Sequence, residues 1–192
     1  MTKYIDIHTH NPRADVLSPT MAGIHPWQAE IGYELPDLTE CDIIGETGLD
    51  YACMVDRDRQ KELFHKHLER ARQLGKPVVL HTVRALSDTL AVLNEFEAVK
   101  GVVFHGFIGS KEQAMECLKR GYYLSFGERS LRSPKSIEAL RITPLSQLFC
   151  ETDDNTTVAI EEIYSRVAQI KQIGVEELQK EIEKNYKKLF HR

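Results

Sequence analysis

The stretch Leu63-Phe-His-Lys-His-Leu68-Glu-Arg-Ala71-Arg-Gln-Leu-Gly75-Lys-Pro77-Val78-Val-Leu-His81 decides how the rest of the chain is read. Leu63, Phe64, His67, Leu68 and Ala71 recur at the spacing of one helix face. Gly75 ends that helix and Pro77 opens the next element. Val78-Val-Leu is apolar throughout, which suits a strand covered on both faces, as in a parallel sheet. A helix, a Gly stop, an apolar strand and a histidine at the strand's end thus follow one another within a few turns of chain.

The same unit repeats outward from there. Candidate strands are Tyr4–His8, Met21–His25, Asp42–Glu46, Val78–His81, Val102–His105, Tyr122–Phe126 and Gln147–Glu151, seven in all. Between and after them lie the stripe Leu86, Leu90, Leu93 and Phe96, and a capping box at Ser110–Gln113 with Gly121 as its stop. The stripes Ile160, Ile163, Tyr164 and Val167, then Leu178, Ile182 and Leu189, follow. This alternation predicts an α/β protein of parallel strands, one domain over residues 1–192. Between the first two strands, Thr9–Thr20 carries Pro12 and Pro19 and is too short for a helix and a strand. One β/α unit is therefore expected to be missing or contracted after the first strand.

Composition narrows the function classes. Of 192 residues, 42% are hydrophobic and 28% charged, the balance of a soluble globular protein. The net charge of −4 argues against a module that coats nucleic acid by general phosphate attraction. Cys41, Cys53, Cys117 and Cys150 form no CxxC pair and read as reduced thiols. Met1-Thr-Lys leads into Tyr4-Ile-Asp-Ile-His without an apolar leader, and no run is long enough for a membrane span. A cytoplasmic protein without a membrane partner is the expectation.

The histidines carry the functional signal. Five of eight (His8, His10, His25, His81 and His105) stand at or just past the end of a predicted strand. Glu46 and Asp153 do the same. In a parallel β/α barrel those ends converge on one face, where the loops build the active site. Asp6, His8 and His10 alternate along one strand and share a face. Imidazole with carboxylate suits zinc, manganese or iron.

Six motifs occur in an order that resembles a known family: Asp6-Ile-His8-Thr-His10, Gly23-Ile-His25-Pro26, Gly45-Glu46-Thr-Gly48-Leu49-Asp50, Val79-Leu-His81-Thr-Val-Arg84, His105-Gly-Phe107-Ile-Gly109-Ser110 and Glu151-Thr-Asp153. Gln60, Phe64 and Asn185–Phe190 extend the likeness over essentially the whole chain. The chain is similar to the TatD-like metal-dependent hydrolases of the amidohydrolase superfamily. That resemblance implies a TIM-type β/α barrel, two divalent metal ions (Zn, Mg or Mn) and hydrolysis of phosphate esters, in DNA or in small phosphodiesters. Carried over by motif, His8, His10, Glu46 and Asp153 would hold one ion, and Glu46, His81 and His105 the second. Glu46 would be the shared carboxylate. Asp153 is expected to take a proton from the attacking water as general base. Arg84 and His25 are expected to contact substrate phosphate. Two such ions would add local positive charge and let an acidic protein hold a polyanion.

Other residues carry plainer readings. Gly45 and Gly48 suggest a tight loop beside Glu46. Asp154 and Asn155 stand where the family has a small residue and a proline. Asp154 is read as a solvated loop charge, with a rival ligand as the alternative. Trp27 either lines the site and stacks on a base or is a partly buried loop aromatic. His65 and His67 point in different directions on a helix and are structural or exposed. Lys111 and Arg129 touch phosphate or are solvated, and His191 falls in a tail. The chain is short for the family, which leaves an edge for a partner subunit or the Asn11–Thr20 loop to cover. The competing functions are an amidase, lactonase or deaminase on the same scaffold, and a catalytically silent metal-binding barrel.

Overall fold

The computed structural model describes residues 3–30, 34–96 and 99–190. His191 lies outside them. The chain forms two compact units: a middle unit, Thr20–Phe104, and an end unit made of Met1–Pro19 with His105–Arg192.

The middle unit is built on four parallel strands: β1 (Met21–Ala22), β2 (Ile43–Asp50), β3 (Val78–Val83) and β4 (Val102–Phe104), each paired with the next. Helix α1 (Arg57–Leu74) joins β2 to β3, and α2 (Leu86–Asn94) joins β3 to β4. Asp56 caps α1 by accepting from the Arg59 amide at 2.9 Å. Gly75 closes it with a left-handed φ of 62°. The buried face of α1 is the stripe read from the sequence, with Gln60 added. Val78, Val79, Leu80, Ile43, Ile44 and Leu49 are fully enclosed. Each such side chain contributes about 1.5–3 kcal/mol over an exposed one.

The strand expected to end at Glu46 runs on to Asp50, so Thr47–Asp50 of the motif Gly45-Glu-Thr-Gly-Leu-Asp50 is strand in place of a tight loop. Its glycines serve close strand packing. A Cβ at Gly45 would collide with the Val79 carbonyl oxygen, and one at Gly48 with that of His81. Both glycines also take positive φ, 147° and 134°. The β2–β3 register shifts between Ile44 and Thr47, across Gly45 and Glu46, and then pairs Gly48 with His81.

The end unit contains β5 (Tyr123–Phe126) and β6 (Leu148–Cys150), paired in parallel. Helix α3 (Lys111–Leu118) starts on the capping box Ser110/Gln113 that the sequence announces. Helices α4 (Glu128–Leu131) and α5 (Pro134–Ile142) separate β5 from β6, and α6 (Ile160–Lys171) and α7 (Val175–Phe190) follow. The Tyr164 hydroxyl donates to the Ile5 carbonyl at 2.9 Å, and Asn185 donates to the Leu145 and Leu148 carbonyls. The polar residues of two buried helix faces thus tie down the Ile5 segment and the turn that leads into β6.

Six of the seven expected strands are present, most of them shorter than expected. The other, Tyr4–His8, is an extended segment held by isolated bridges. Ile5 pairs with Leu17, Thr9 pairs with Asp153, and the Ile7 amide donates to the Cys150 carbonyl at 3.2 Å. It forms no continuous ladder because it shares its hydrogen bonds between Leu17 on one side and β6 on the other. Residues 9–20 contain no helix. Leu17 donates to the Tyr4 carbonyl and its own carbonyl accepts from Asp6, so the loop from Asn11 to Thr20 covers this edge. Among the described residues, no helix is long and apolar enough to cross a membrane.

Candidate active site

In the middle unit, β2 and β3 bring Glu46 and His81 together, with His81 Nδ1 3.4 Å from Glu46 Oε2. The opposite ring nitrogen, Nε2, faces Asp50 Oδ2 at 3.2 Å. That carboxylate holds the proton on Nε2 and turns the Nδ1 lone pair toward Glu46. Asp50 Oδ2 also accepts from the Trp27 indole at 2.7 Å, and Oδ1 accepts from the Ala52 amide at 2.8 Å. Burial works to raise its pKa, but the bonds from Trp27, Ala52 and His81 outweigh burial and hold the carboxylate below its ordinary value. Gln60, fully buried on α1, spans the turn beyond: it accepts from the Asp50 amide and donates to the Asp50 and Val55 carbonyls.

His25 approaches the same carboxylate, Nε2 to Glu46 Oε2 at 3.8 Å. Its Nδ1 accepts from the Trp27 amide at 3.2 Å, so the neutral ring carries its proton on Nε2. His25 is therefore set up as a hydrogen-bond donor, where His81 is set up as an acceptor.

In the end unit, the bridge between Thr9 and Asp153 sets the geometry. The Asp153 amide donates to the His8 carbonyl at 3.0 Å, and the His10 amide to the Asp153 carbonyl at 2.9 Å. The two histidines therefore flank the acid. Their Nε2 atoms lie 3.3 and 3.7 Å from Asp153 Oδ1. Asp153, three residues past β6, holds a left-handed φ of 56°, rare for a residue with a side chain. His105, just after β4, packs its ring 4.4 Å from that of His8 and faces Glu151 Oε1 through Nδ1 at 3.3 Å. Glu151 is 1% exposed, and its Oε2 has no hydrogen-bond partner.

Asp6 shares the alternation of His8 and His10 but turns to Thr152, whose amide and hydroxyl donate to it at 3.0 and 2.6 Å. Burial pushes the Asp6 carboxyl up to about 7 despite those bonds. It supports the Thr9–Asp153 bridge and is not among the ligand-type groups. Asp154 is a loop charge, paired with Arg129 through both oxygens at 3.1 and 2.9 Å. Arg129 Nη1 lies 3.9 Å from Asp153 Oδ2. Arg84 follows β3, exposed, with φ of 52°. His67 is fully buried and structural, while His65 pairs with Glu95 at 3.1 Å.

Within each unit, groups of imidazole and carboxylate converge closely enough to share an ion: His25, Glu46 and His81 in one, His105, Glu151 and Asp153 in the other. The donors are nitrogen and oxygen only, the set expected for borderline or hard divalent metals. An orphaned buried carboxylate oxygen on Glu151 adds negative charge that a cation would offset. These residues fit a divalent ion. Asp50 and Glu151 escaped the residue-by-residue reading. Each is legible only as a letter inside a motif, because nothing in the spacing tells a ligand from the acid that orients it.

A comparison with family models matches residues 6–191 to the TatD related DNase model. The chain belongs to that family. It is 34% identical over 191 aligned residues to the uncharacterized metal-dependent hydrolase YcfH of Escherichia coli K12, covering 88% of this chain and 72% of the relative. The deoxyribonuclease Tat-D of Schizosaccharomyces pombe is 34% identical over 113 residues, 57% of this chain and 36% of that one. Among solved structures, the TatD homolog YJJV of Escherichia coli K12 superposes with a TM-score of 0.80 at 21% identity, over 100% of this chain and 87% of that one. The TatD-family chain is thus a metal-dependent hydrolase that uses divalent metal. Its fold is of the α/β, TIM-barrel-like class of its structural neighbours.

Proposed function

We propose that this TatD-family hydrolase is a phosphodiesterase acting on DNA or small phosphodiesters with two divalent ions. One observation carries the reading. In each unit a histidine is met by a buried carboxylate, His81 by Asp50 and His105 by Glu151, which orients the ring and selects its tautomer as a ligating histidine requires. The Tat-D deoxyribonuclease relative supports DNA as the substrate.

The ligand roles proposed follow the family resemblance: His8, His10 and Asp153 for one ion and His81 and His105 for the other. The role of Glu46 as the carboxylate shared by both rests on the family resemblance. When bound, the ions supply Lewis-acid charge and an acidified water. Asp153 takes the proton of the attacking water. His25 donates from Nε2 to a phosphate oxygen, which matches the tautomer fixed by the Trp27 amide. Arg84 offers its fork of N–H groups to the phosphate. We propose that both units serve this one activity as a single domain, residues 1–192. A cytoplasmic location belongs to the same proposal, supported by four cysteines that are all free thiols.

The test combines elemental analysis of the purified protein with a substrate panel. Hydrolysis of a fluorogenic phosphodiester that requires added Mg²⁺ or Mn²⁺ and stops with chelator is the expected result. Turnover of lactones or amides in its place would assign the scaffold to C–O or C–N hydrolysis.

A further inference from the structure

Trp27 is the single tryptophan of the chain, and 59% of it is exposed. An indole left this open in a folded protein ordinarily moves freely, but this one is held at several points. Its N–H donates to Asp50 Oδ2 at 2.7 Å, and its backbone amide donates to His25 Nδ1 at 3.2 Å. The residue belongs to a 3₁₀ turn, Pro26–Gln28, whose proline restricts the backbone. The His25 ring lies 4.5 Å from the indole and the His81 ring 5.9 Å, at interplanar angles of 74° and 76°. Both imidazoles meet it in a T-shaped arrangement, so neither lies flat on the π-face.

These contacts leave a rigid aromatic surface beside the two imidazoles that the middle unit directs at Glu46. Desolvating the ring on binding would cost no hydrogen bond, since its one polar atom is already satisfied by a carboxylate. Fixing it would cost little entropy, since the Asp50 bond has already restrained its side-chain torsions. A flat partner of nucleobase type gains the most from such a surface, and the stacking tolerates any base.

We infer that Trp27 is a stacking platform for a nucleobase next to the scissile phosphate, making nucleotide phosphodiesters preferred over base-free ones. This deepens the phosphodiesterase reading above and rests on it. Asp50 then has two duties through one oxygen: it fixes the tautomer of His81 and the orientation of Trp27. Substrate selection and the hydrolytic site are thereby tied to the same carboxylate.

Two esters with one leaving group test the idea: thymidine 5′-p-nitrophenyl phosphate and methyl p-nitrophenyl phosphate. With metal-loaded protein, kcat/KM should favour the nucleoside ester by about tenfold or more, the scale of one base–aromatic stack. Trp27→Ala should collapse that ratio. Losing the Asp50 bond affects both esters alike and cancels. Trp27→Phe keeps a ring without the N–H and should retain most of the ratio. Fluorescence gives a readout without turnover, because all tryptophan emission comes from this residue. Thymidine 5′-monophosphate should quench it, and deoxyribose 5-phosphate should not.

An unchanged ratio in Trp27→Ala, with both esters still hydrolysed, overturns the stacking role and leaves the phosphodiesterase reading standing. If wild-type protein hydrolyses neither ester, that reading fails, and the fluorescence titration decides the platform by itself. Quenching by the nucleotide alone supports it, and equal or no quenching by both ligands overturns it.

Discussion

In the middle unit Glu46 and His81 stand on two neighbouring strands, Glu46 at the register shift just before a ladder that is continuous from Thr47 to Asp50. In the end unit His8, His10 and Asp153 stand on an extended segment and on the residues after β6, joined by one isolated bridge, Thr9 to Asp153. The donor types are alike, and so is the device of a buried acid behind a histidine. The means of holding them differ. The ladder of β2 and β3 places His81 by pairing it with Gly48 and sets Glu46 at the register shift beside it, at the cost of two positions where only glycine fits. The end unit has fewer backbone bonds and relies on side chains: Asp6, Thr152 and Thr9 form a hydrogen-bonded chain behind the bridge. A regular sheet leaves little freedom of sequence in its backbone, whereas a bridged loop leaves little in its polar side chains.

Experiments can break or sharpen that contrast. The largest effect is expected for Glu46→Ala, with turnover falling by roughly 10³-fold or more while the fold persists, the scale for a group at the reacting centre. Circular dichroism and a phosphodiester assay check it, and retained activity would remove Glu46 from the mechanism.

Gly48→Ala is expected to destabilise by about 3 kcal/mol in urea titration, since the new methyl meets the His81 carbonyl at a φ unsuited to alanine. A neutral result would mean that the strand spacing is slack and the contrast overstated.

The middle unit also contains a titrating group in its core. Desolvation pushes His67 down to about 4, against a helping bond to the Leu63 carbonyl. Its Nε2 accepts from the Ile24 amide at 3.0 Å, which protonation would forbid. The folded pKa lies below the unfolded one, so the unfolded chain binds the extra proton between them. Stability is full above about pH 6.5 and falls as the pH drops toward 4, by up to about 3 kcal/mol. His67→Gln should flatten that slope in urea titrations at pH 7 and 4.5. Parallel slopes for the two proteins would count against it.

Asp50→Asn and Glu151→Gln should each weaken metal affinity by about 10- to 100-fold, read by equilibrium dialysis. Equal losses would show that the two orienting acids do the same work in both settings. No loss in either would sink the argument that they prepare a ligand. The smallest effect belongs to Arg84→Ala, with KM raised by about tenfold and metal content unchanged. An unaltered KM would exclude the phosphate contact.

Much of this was legible in residue order. Apolar runs ending in histidine or acid mark strand ends, and Gly75 and Ser110 mark helix ends, because those signals are local. The extent of β2 was less legible. Gly45 and Gly48 resemble loop residues in one dimension, since the Val79 and His81 carbonyls that exclude a side chain come from another strand. Trp27 was open between platform and packing, because its anchor Asp50 lies far along the chain.

The order of motifs by itself determined the α/β alternation, the family and the pool of metal-binding groups, since short-range periodicity and residue chemistry are properties of the chain. Only the folded molecule decided that His25 donates while His81 accepts, that Asp6 serves Thr152, and that Asp50 and Glu151 stand behind their histidines. Those distinctions depend on which nitrogen faces which oxygen, and that is set by contacts between residues distant in sequence.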